Sequence, residues 1–321
     1  MERIKPMRMW TADNIQQAMG FLVAQTTYIE PQVVRIKYPE LFYKEIIPVD
    51  TAANEWAKSI TFFSLGQVGS ADWYNHMGRD IPVADIERQK HEAAIEMAAV
   101  GYRYTLEELG QAMMLPNTNL SVERAASARR AYEQFVHNTT MYGDTRKNWQ
   151  GVTNHSLPAV INVTATWSYW VSQGSSYLVN ILQDVNNCLT NIWQSSLTVE
   201  LADTLLLPLS ALTLLATTQL PNTTITLLDF IKKNNLYTMQ TGRPLDVRGV
   251  RGLDTAGASG NGRVIAYTKS PDVLKVHIPM THRFLTVWQT GPLLFDVPGI
   301  FRMAGVEIRR PGAMRYMDGV C

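Results

Sequence analysis

The stretch HEAAIEMAAVGYRY, residues 91–104, admits two opposite readings. Ala, Glu and Met dominate it, so intrinsic propensity favours helix. Alternation of apolar and polar positions is weak, and periodicity alone does not decide it. Immediately upstream lie the strand-like SITFFSL (59–65), a turn region punctuated by Gly66 and Gly69, and WYNHMGRDIPV (73–83). Downstream, Thr105-Leu-Glu-Glu108 is a capping box opening a short helix that ends before Pro116. A longer helix is predicted from Ser121 to about Tyr142. Its apolar positions Val122, Ala125, Ala126, Tyr132, Phe135 and Val136 follow the helical period, with Arg124, Arg129 and Arg130 forming a basic side and Gly143 the natural stop.

Further out, the first 45 residues hold one short helical pattern, Ile15, Met19 and Leu22, and an extended run from Val33 to Tyr38. So thin a set of elements cannot bury its own core, and it reads as an arm lying on something else. A third helix is predicted from about Tyr169 to Gln194, with the one-sided stripe Leu178, Ile181, Leu182, Val185, Leu189, Ile192 and Trp193. A fourth follows Pro221, from Asn222 to about Asn234. Residues 247–310 read as strands separated by Gly and Pro turns: VRGVRGL, RVIAYT, VLKVHI, RFLTVWQT and GVEIRRP. A helix-rich middle framed by extended segments is an α+β pattern. No internal repeat and no low-complexity linker is present.

With 321 residues the chain exceeds the size, roughly 250–300 residues, at which a single core stops growing, so two or more sub-domains are expected. Charged residues make up only 18%, against about 25% in ordinary domains. Disordered chains run the other way, low in apolar content and high in net charge. A generally basic nucleic-acid binder sits above about pI 9, whereas this sequence has pI ≈ 7.8. The low charge points either to surface covered by other chains or to a membrane. Asn148–Gln183 and Thr204–Leu228 carry no charge, but the first is studded with Asn, Thr, Ser and Gln and the second is broken by Pro208 and Pro221. Neither reads as a bilayer span of about 20 apolar residues. No signal-peptide pattern follows MERIKPMRMW, and Cys188 and Cys321 form neither a disulfide framework nor a metal spacing. A soluble protein of a reducing compartment is expected. Charge is uneven: residues 1–144 are net −4, 145–235 are neutral with 4 basic and 4 acidic groups, and 236–321 are net +5.

A search for reactive chemistry returns no active site. The histidines His76, His91, His137, His155, His277 and His282 include no i, i+4 pair of the helical metal-site kind, so no metal is expected. GVRGLDTAGASGNG (249–262) lacks the Gly-Lys-Ser/Thr of a phosphate loop and reads as a flexible loop between strands. Ser259 precedes a strand, the wrong side for a nucleophile elbow, and no Gly-x-Ser-x-Gly occurs. Acidic pairs such as Glu107 with Glu108 or Asp85 with Glu87 sit among solvated residues. Neither a catalytic residue nor a cofactor is expected. Arg243, Arg248, Arg251, Arg309, Arg310 and Arg315 suit either phosphates or the acidic first part of a neighbouring chain. Trp56 and Trp73 lie where little local core exists, which suits contact with a partner.

The order of segments resembles the tailed-bacteriophage major capsid proteins, the fold named after phage Hong Kong ninety-seven and shared with encapsulin shells. The segments that carry the resemblance are YPEL (38–41) and IPV (47–49), SITFFSLGQVGSADWY (59–74), RDIPVADI (79–86), GYRYTLEEL (101–109) and ERAASARRAYEQF (123–135). YGD (142–144), WQGVTNH (149–155), ADTLLLP (202–208), TLLDFIKKNN (226–235) and GVEIRRPGAMRYMDG (305–319) complete the series.

The resemblance implies an N-terminal arm over 1–50 and a long two-stranded extended loop over 51–100 that reaches across a neighbouring subunit. It implies a peripheral domain with its spine helix over 101–149, an axial domain over 150–290, and a return to the peripheral domain over 291–321. On this view HEAAIEMAAVGYRY is largely strand, against its propensity. The implied function is a shell subunit that self-assembles through pentamers and hexamers around double-stranded DNA, located in the virion capsid and assembled in the bacterial cytoplasm. Implied partners are further copies of the chain, DNA held without sequence reading, a portal, a separate scaffolding protein and a decoration or cement protein; no membrane is expected. The expected contact residues are Trp56, Trp73, Tyr74, Arg79 and Asp80 in the extended loop, with Arg248 and Arg251 near an axial tip. The arm lacks a long acidic leader, so a fused scaffold is not expected. Lys58 and Lys90 flank the loop, but no covalent crosslink is predicted from them. Two alternatives are an encapsulin-like compartment and a soluble two-domain hydrolase.

Overall fold

The runs TLLLP and RVIAY are buried at every position, the pattern of strands covered on both faces. They are neighbours in a five-stranded sheet. A computed structural model describes residues 41–73, 83–108 and 120–321. In this sheet Ala159–Asn162 (β7) pairs in parallel with Met314–Asp318 (β17), which pairs antiparallel with Arg263–Tyr267 (β10). Next comes Thr204–Pro208 (β8), antiparallel to β10, and then Asp246–Val250 (β9), parallel to β8. Alternate side chains enter two different cores. Leu206, Ile265, Tyr267, Met314 and Tyr316 face one, and Leu205, Leu207, Val264, Ala266 and Met317 face the other.

The second core is closed by helices Trp167–Gln173 (α3), Leu178–Ser195 (α4), Leu209–Thr217 (α5), Leu227–Lys233 (α6) and Leu236–Thr241 (α7). Along α4, Leu178, Ile181, Val185, Cys188, Leu189 and Ile192 are buried, close to the stripe expected. The single helix expected from Tyr169 to Gln194 is two helices, because Gly174 adopts φ +110 between them. The helix expected from Asn222 begins five residues later. Asn222 sits at φ +58, and Thr226 is the true cap, its hydroxyl accepting the Asp229 amide at 3.3 Å.

The first core is organised by Leu120–Tyr142 (α2). Its buried residues Ala128, Tyr132 and Val136 recur at four-residue spacing, and the Tyr132 and Phe135 rings lie 4.7 and 5.5 Å from that of Phe301. Gly143 ends the helix at φ +78, where a Cβ would meet the Trp149 carbonyl at 2.2 Å, and Gly143–Asp144 (β5) pairs antiparallel with Trp149–Gln150 (β6). The short helix Tyr43–Ile46 (α1) joins this core, and the Tyr43 hydroxyl donates to Glu133 at 2.7 Å. Against it lies a three-stranded sheet of Val49–Asp50 (β1), Leu274–His277 (β11) and Val306–Ile308 (β16). The capping box holds as read: the Thr105 amide donates to Glu108 at 3.0 Å and the Glu108 amide to the Thr105 hydroxyl at 3.2 Å.

Residues 85–99 are one strand, Asp85–Ala99 (β3), so propensity loses to pairing. Its first ten residues pair with Ser59–Val68 (β2), and its last five with Gly299–Ala304 (β15), to which Met280–Phe284 (β12) adds. RFLTVWQT is split: 283–284 end β12 and 288–290 begin Trp288–Gly291 (β13). β13 joins Leu294–Val297 (β14) and Tyr102–Thr105 (β4) in a further sheet. Sheet membership therefore crosses the partition expected near residue 290. Strand β12, before it, and β13, which straddles it, join the sheets of β3 and β4, whereas β17, after it, lies in the sheet of β7 to β10.

Candidate subunit interface

Strands β2 and β3 run as a two-stranded ribbon from Ser59 opposite Ala94 to Val68 opposite Asp85. Ten residues of strand span about 33 Å. From residue 63 to 68 and from 85 to 92 every residue is exposed. An isolated two-stranded ribbon is marginal in water, because it has no core to bury either face. Its two faces differ. One carries Phe63, Leu65 and Ile86 with Arg88 and Lys90, and the Arg88 guanidinium lies 3.7 Å from the Phe63 ring centroid. The other carries Phe62 stacked on His91 at 4.8 Å and, further along, Glu87 and Asp85. The first face also holds Glu92, paired with Lys90 at 3.1 Å, and the second also holds exposed Val68, so both faces mix apolar and charged groups. Such faces on a structure without a core are suited to lying between other surfaces.

The base of the ribbon is fixed. Ile95 is buried, the Arg283 guanidinium pairs with Glu55 at 3.0 Å, and Arg302 donates to the Glu55 carbonyl at 2.7 Å. The Arg309 guanidinium lies 4.9 Å from the Phe62 ring and also holds Glu307, which shares a hydrogen bond with buried His277. Burial pushes the Glu307 carboxyl up, but the hydrogen bonds from His277 and Arg309 outweigh it and hold it below the usual carboxylate range. Asp50 is likewise held low, first by the Lys275 ammonium at 2.6 Å and then by the Ala52 amide. This network ties β1, β11 and β16 to the root of the ribbon.

Of the residues expected at interfaces, Trp73 is 98% exposed and Trp56 62%. Tyr74, Arg79 and Asp80 lie outside the described residues, as do Ile15, Met19, Leu22 and the Val33–Tyr38 run. Arg248 is engaged within the subunit, pairing with Glu45 at 2.6 Å and Asp246 at 2.9 Å. Arg251 is exposed, and its carbonyl accepts the Tyr142 hydroxyl at 3.1 Å, beside the end of α2. Arg248 and Arg251 are thus each tied to the part of the chain built around α1 and α2. Sequence reading missed the buried Arg263–Asp318 pair at 2.7 Å, whose members are 55 residues apart. It also missed the exposed Leu197, Val199, Met239 and Trp288, which no periodic pattern distinguishes from core residues.

Among the described residues no three His, Cys, Asp or Glu side chains gather into a metal-binding group, and no helix is long and apolar enough to cross a membrane. His277 and His282 lie on different strands. His282 hydrogen-bonds the Val100 carbonyl at 3.0 Å and stacks on Tyr132 at 5.3 Å, a packing role. Burial pushes the Cys188 thiol up to about 12, so it stays protonated at neutral pH.

A family model described as major capsid protein matches residues 69–320. The chain belongs to the major capsid protein family. Its fold is shared with solved capsids. The capsid subunit of Myoviridae phage XM1 superposes with a TM-score of 0.77 at 17% identity, covering 92% of this chain and 98% of that one. A chain from Mycobacterium phage Adephagia gives 0.60 at 15% identity, covering 94% and 97%. A subunit of an empty GTA particle gives 0.56 at 9% identity, covering 95% and 98%. No curated protein matches the sequence. A major capsid protein assembles with further copies of itself into a shell.

Proposed function

We propose that this chain builds a closed icosahedral shell, through pentamers and hexamers of itself, around packaged double-stranded DNA. The observation that carries the reading is the ribbon 59–68/85–94, which is fully hydrogen-bonded along its length yet rooted in a core only at its base. Heterologous, ring-closing contacts let one sequence make rings of different order, and weak contacts multiply over many copies. The role is structural rather than catalytic. In this reading the ribbon is the extended loop lying over a neighbour, with Trp56 and Trp73 as contact residues and Tyr74, Arg79 and Asp80 beyond them. The helix α2, with the sheets that hold β3 and β4, forms the peripheral part. The five-stranded sheet with α3 to α7 forms the axial part, and β17 belongs to it. DNA is held by confinement and a few phosphate contacts, for which exposed Arg251 is a better candidate than the internally paired Arg248. A portal, a separate scaffolding protein and a decoration protein complete the virion, assembled in the bacterial cytoplasm.

Expression of the chain, alone and with its neighbouring genes, followed by sedimentation and electron microscopy, tests this. Rings and closed shells are expected. Only monomers or dimers at high concentration in both preparations would contradict it. Shells that enclose a protein cargo in place of DNA would favour the encapsulin-like alternative.

A further inference from the structure

After α4 the chain makes a turn that L residues rarely adopt. Leu197 and Thr198 stand consecutively at φ +54 and +68, although neither is glycine and Thr198 is β-branched. The turn is locked from several sides. The Thr198 amide donates to the Trp193 carbonyl at 2.7 Å, the Trp193 indole donates to the Thr198 carbonyl at 3.2 Å, and the Glu200 amide donates to the Ser196 hydroxyl at 3.0 Å. What the lock displays is apolar: Leu197 is 84% exposed and Val199 74%. A backbone outlier held by its surroundings points to a function for the conformation.

The opposite end of α4 carries the complementary kind of surface. Tyr169, Trp170 and Tyr177 form a cluster, with Trp170 stacked on Tyr177 at 6.0 Å and Tyr169 edge-on to Trp170 at 5.4 Å. Both tyrosines and the adjacent Val179 are exposed. The 18 residues of α4 separate the two ends by about 27 Å. Among the described residues, little unpaired charge belongs to either segment. Glu200 is paired with Arg310, and the aromatic cluster lies within the charge-free stretch Asn148–Gln183. A nucleic acid needs cations to replace its counterions, so it is a poor occupant for either surface.

We propose that residues 196–200 are a preset apolar knob that seats on the Tyr169/Trp170/Tyr177 cluster of a second copy of this chain. This rests on the shell reading above and adds to it which surfaces meet. A knob and a platform at opposite ends of one helix make a heterologous contact, which propagates from copy to copy where an isologous one stops at two. Its size fits that use. Leu197 and Val199 together offer on the order of 200 Å² of apolar surface, well below the roughly 800 Å² per partner of a stable two-body interface. The contact cannot hold a dimer by itself, but it contributes when repeated in a closed assembly.

The test joins two variants. With Leu197→Cys and Tyr177→Cys in one chain, mild oxidation of assembled particles is expected to yield a ladder of disulfide-linked chains on a non-reducing gel. Each single variant, which controls for Cys188 and Cys321, is expected to give none. Normal particles without a ladder would overturn the inference. Leu197→Asp with Val199→Asp is expected to leave the melting temperature of the dissociated subunit unchanged and to cut shell yield at least tenfold. Undiminished yield would sink the knob and leave the shell reading standing, whereas a wild-type chain that never assembles would sink both. If the double aspartate variant misfolds, the disulfide ladder decides alone.

Discussion

At the scale of single residues, the buried ion pair Arg263–Asp318 is a point where one substitution is costly. Arg263 reaches Asp318 through Nε and Nη2, each at 2.7 Å, and Asp318 also accepts the Ala258 amide at 2.9 Å. Removing one member leaves the other buried without compensation, a loss of about 3–5 kcal/mol. Asp318→Ala is therefore expected to lower the unfolding free energy by about that amount, measured by urea denaturation. A surface pair behaves differently. Glu108 is held at about 2, first by its hydrogen bonds with Arg124 and then by the Thr105 amide. A carboxylate with a depressed folded pKa contributes stability above its unfolded value of about 4.3, and that stability is lost as pH falls toward the folded value. Acid unfolding of the subunit should thus include a component between about pH 4 and 2. Arg124→Gln is expected to shrink that component, and an unchanged acid limb would refute the assignment. Such pairs were illegible in the sequence, because Arg263 and Asp318 meet only through the register of β10 with β17.

At the scale of elements, the ribbon divides stability from assembly along its own length. Ile95 is buried at the root, so Ile95→Ala is expected to cost about 2–5 kcal/mol of subunit stability. Phe63 and Leu65 are exposed, so replacing both with Ser should change subunit stability by no more than about 0.5 kcal/mol for each. The same pair of changes is expected to lower shell yield severalfold by light scattering. Equal effects of root and outer substitutions on subunit melting would contradict this division. The elements were legible where local signals agreed with their surroundings. SITFFSL and the capping box at Thr105 stand as read, and the stripe of α4 does so except that Leu182 and Trp193 are only partly buried. HEAAIEMAA was ambiguous because helix-favouring residues are tolerated in a strand that is solvated along most of its length and is specified by its partners β2 and β15. LSALTLLAT was missed as a helix because it follows the buried strand TLLLP directly and is apolar nearly all round, so no periodicity separates the two. Gly174 was a single residue in a periodic stretch, and only its φ reveals the break.

For the whole molecule, the low charge seen at the outset has a structural setting. Residues 145–235 supply most of one core, and their outward side chains are largely neutral, among them Leu157, Tyr169, Val179, Leu197, Val199 and Ile225. Charge at surfaces that become buried carries a desolvation penalty, and its scarcity here fits a subunit surrounded by copies of itself. In the proposed shell, neighbouring subunits finish what this chain leaves open at the ribbon. Amide hydrogen exchange compared between dissociated subunits and purified shells tests it most directly. Peptides covering 61–68 and 85–92 are expected to exchange rapidly in the free subunit and at least tenfold more slowly in the shell, while peptides from β8 and β10 exchange alike in both. Equal exchange of the ribbon in the two states would contradict it.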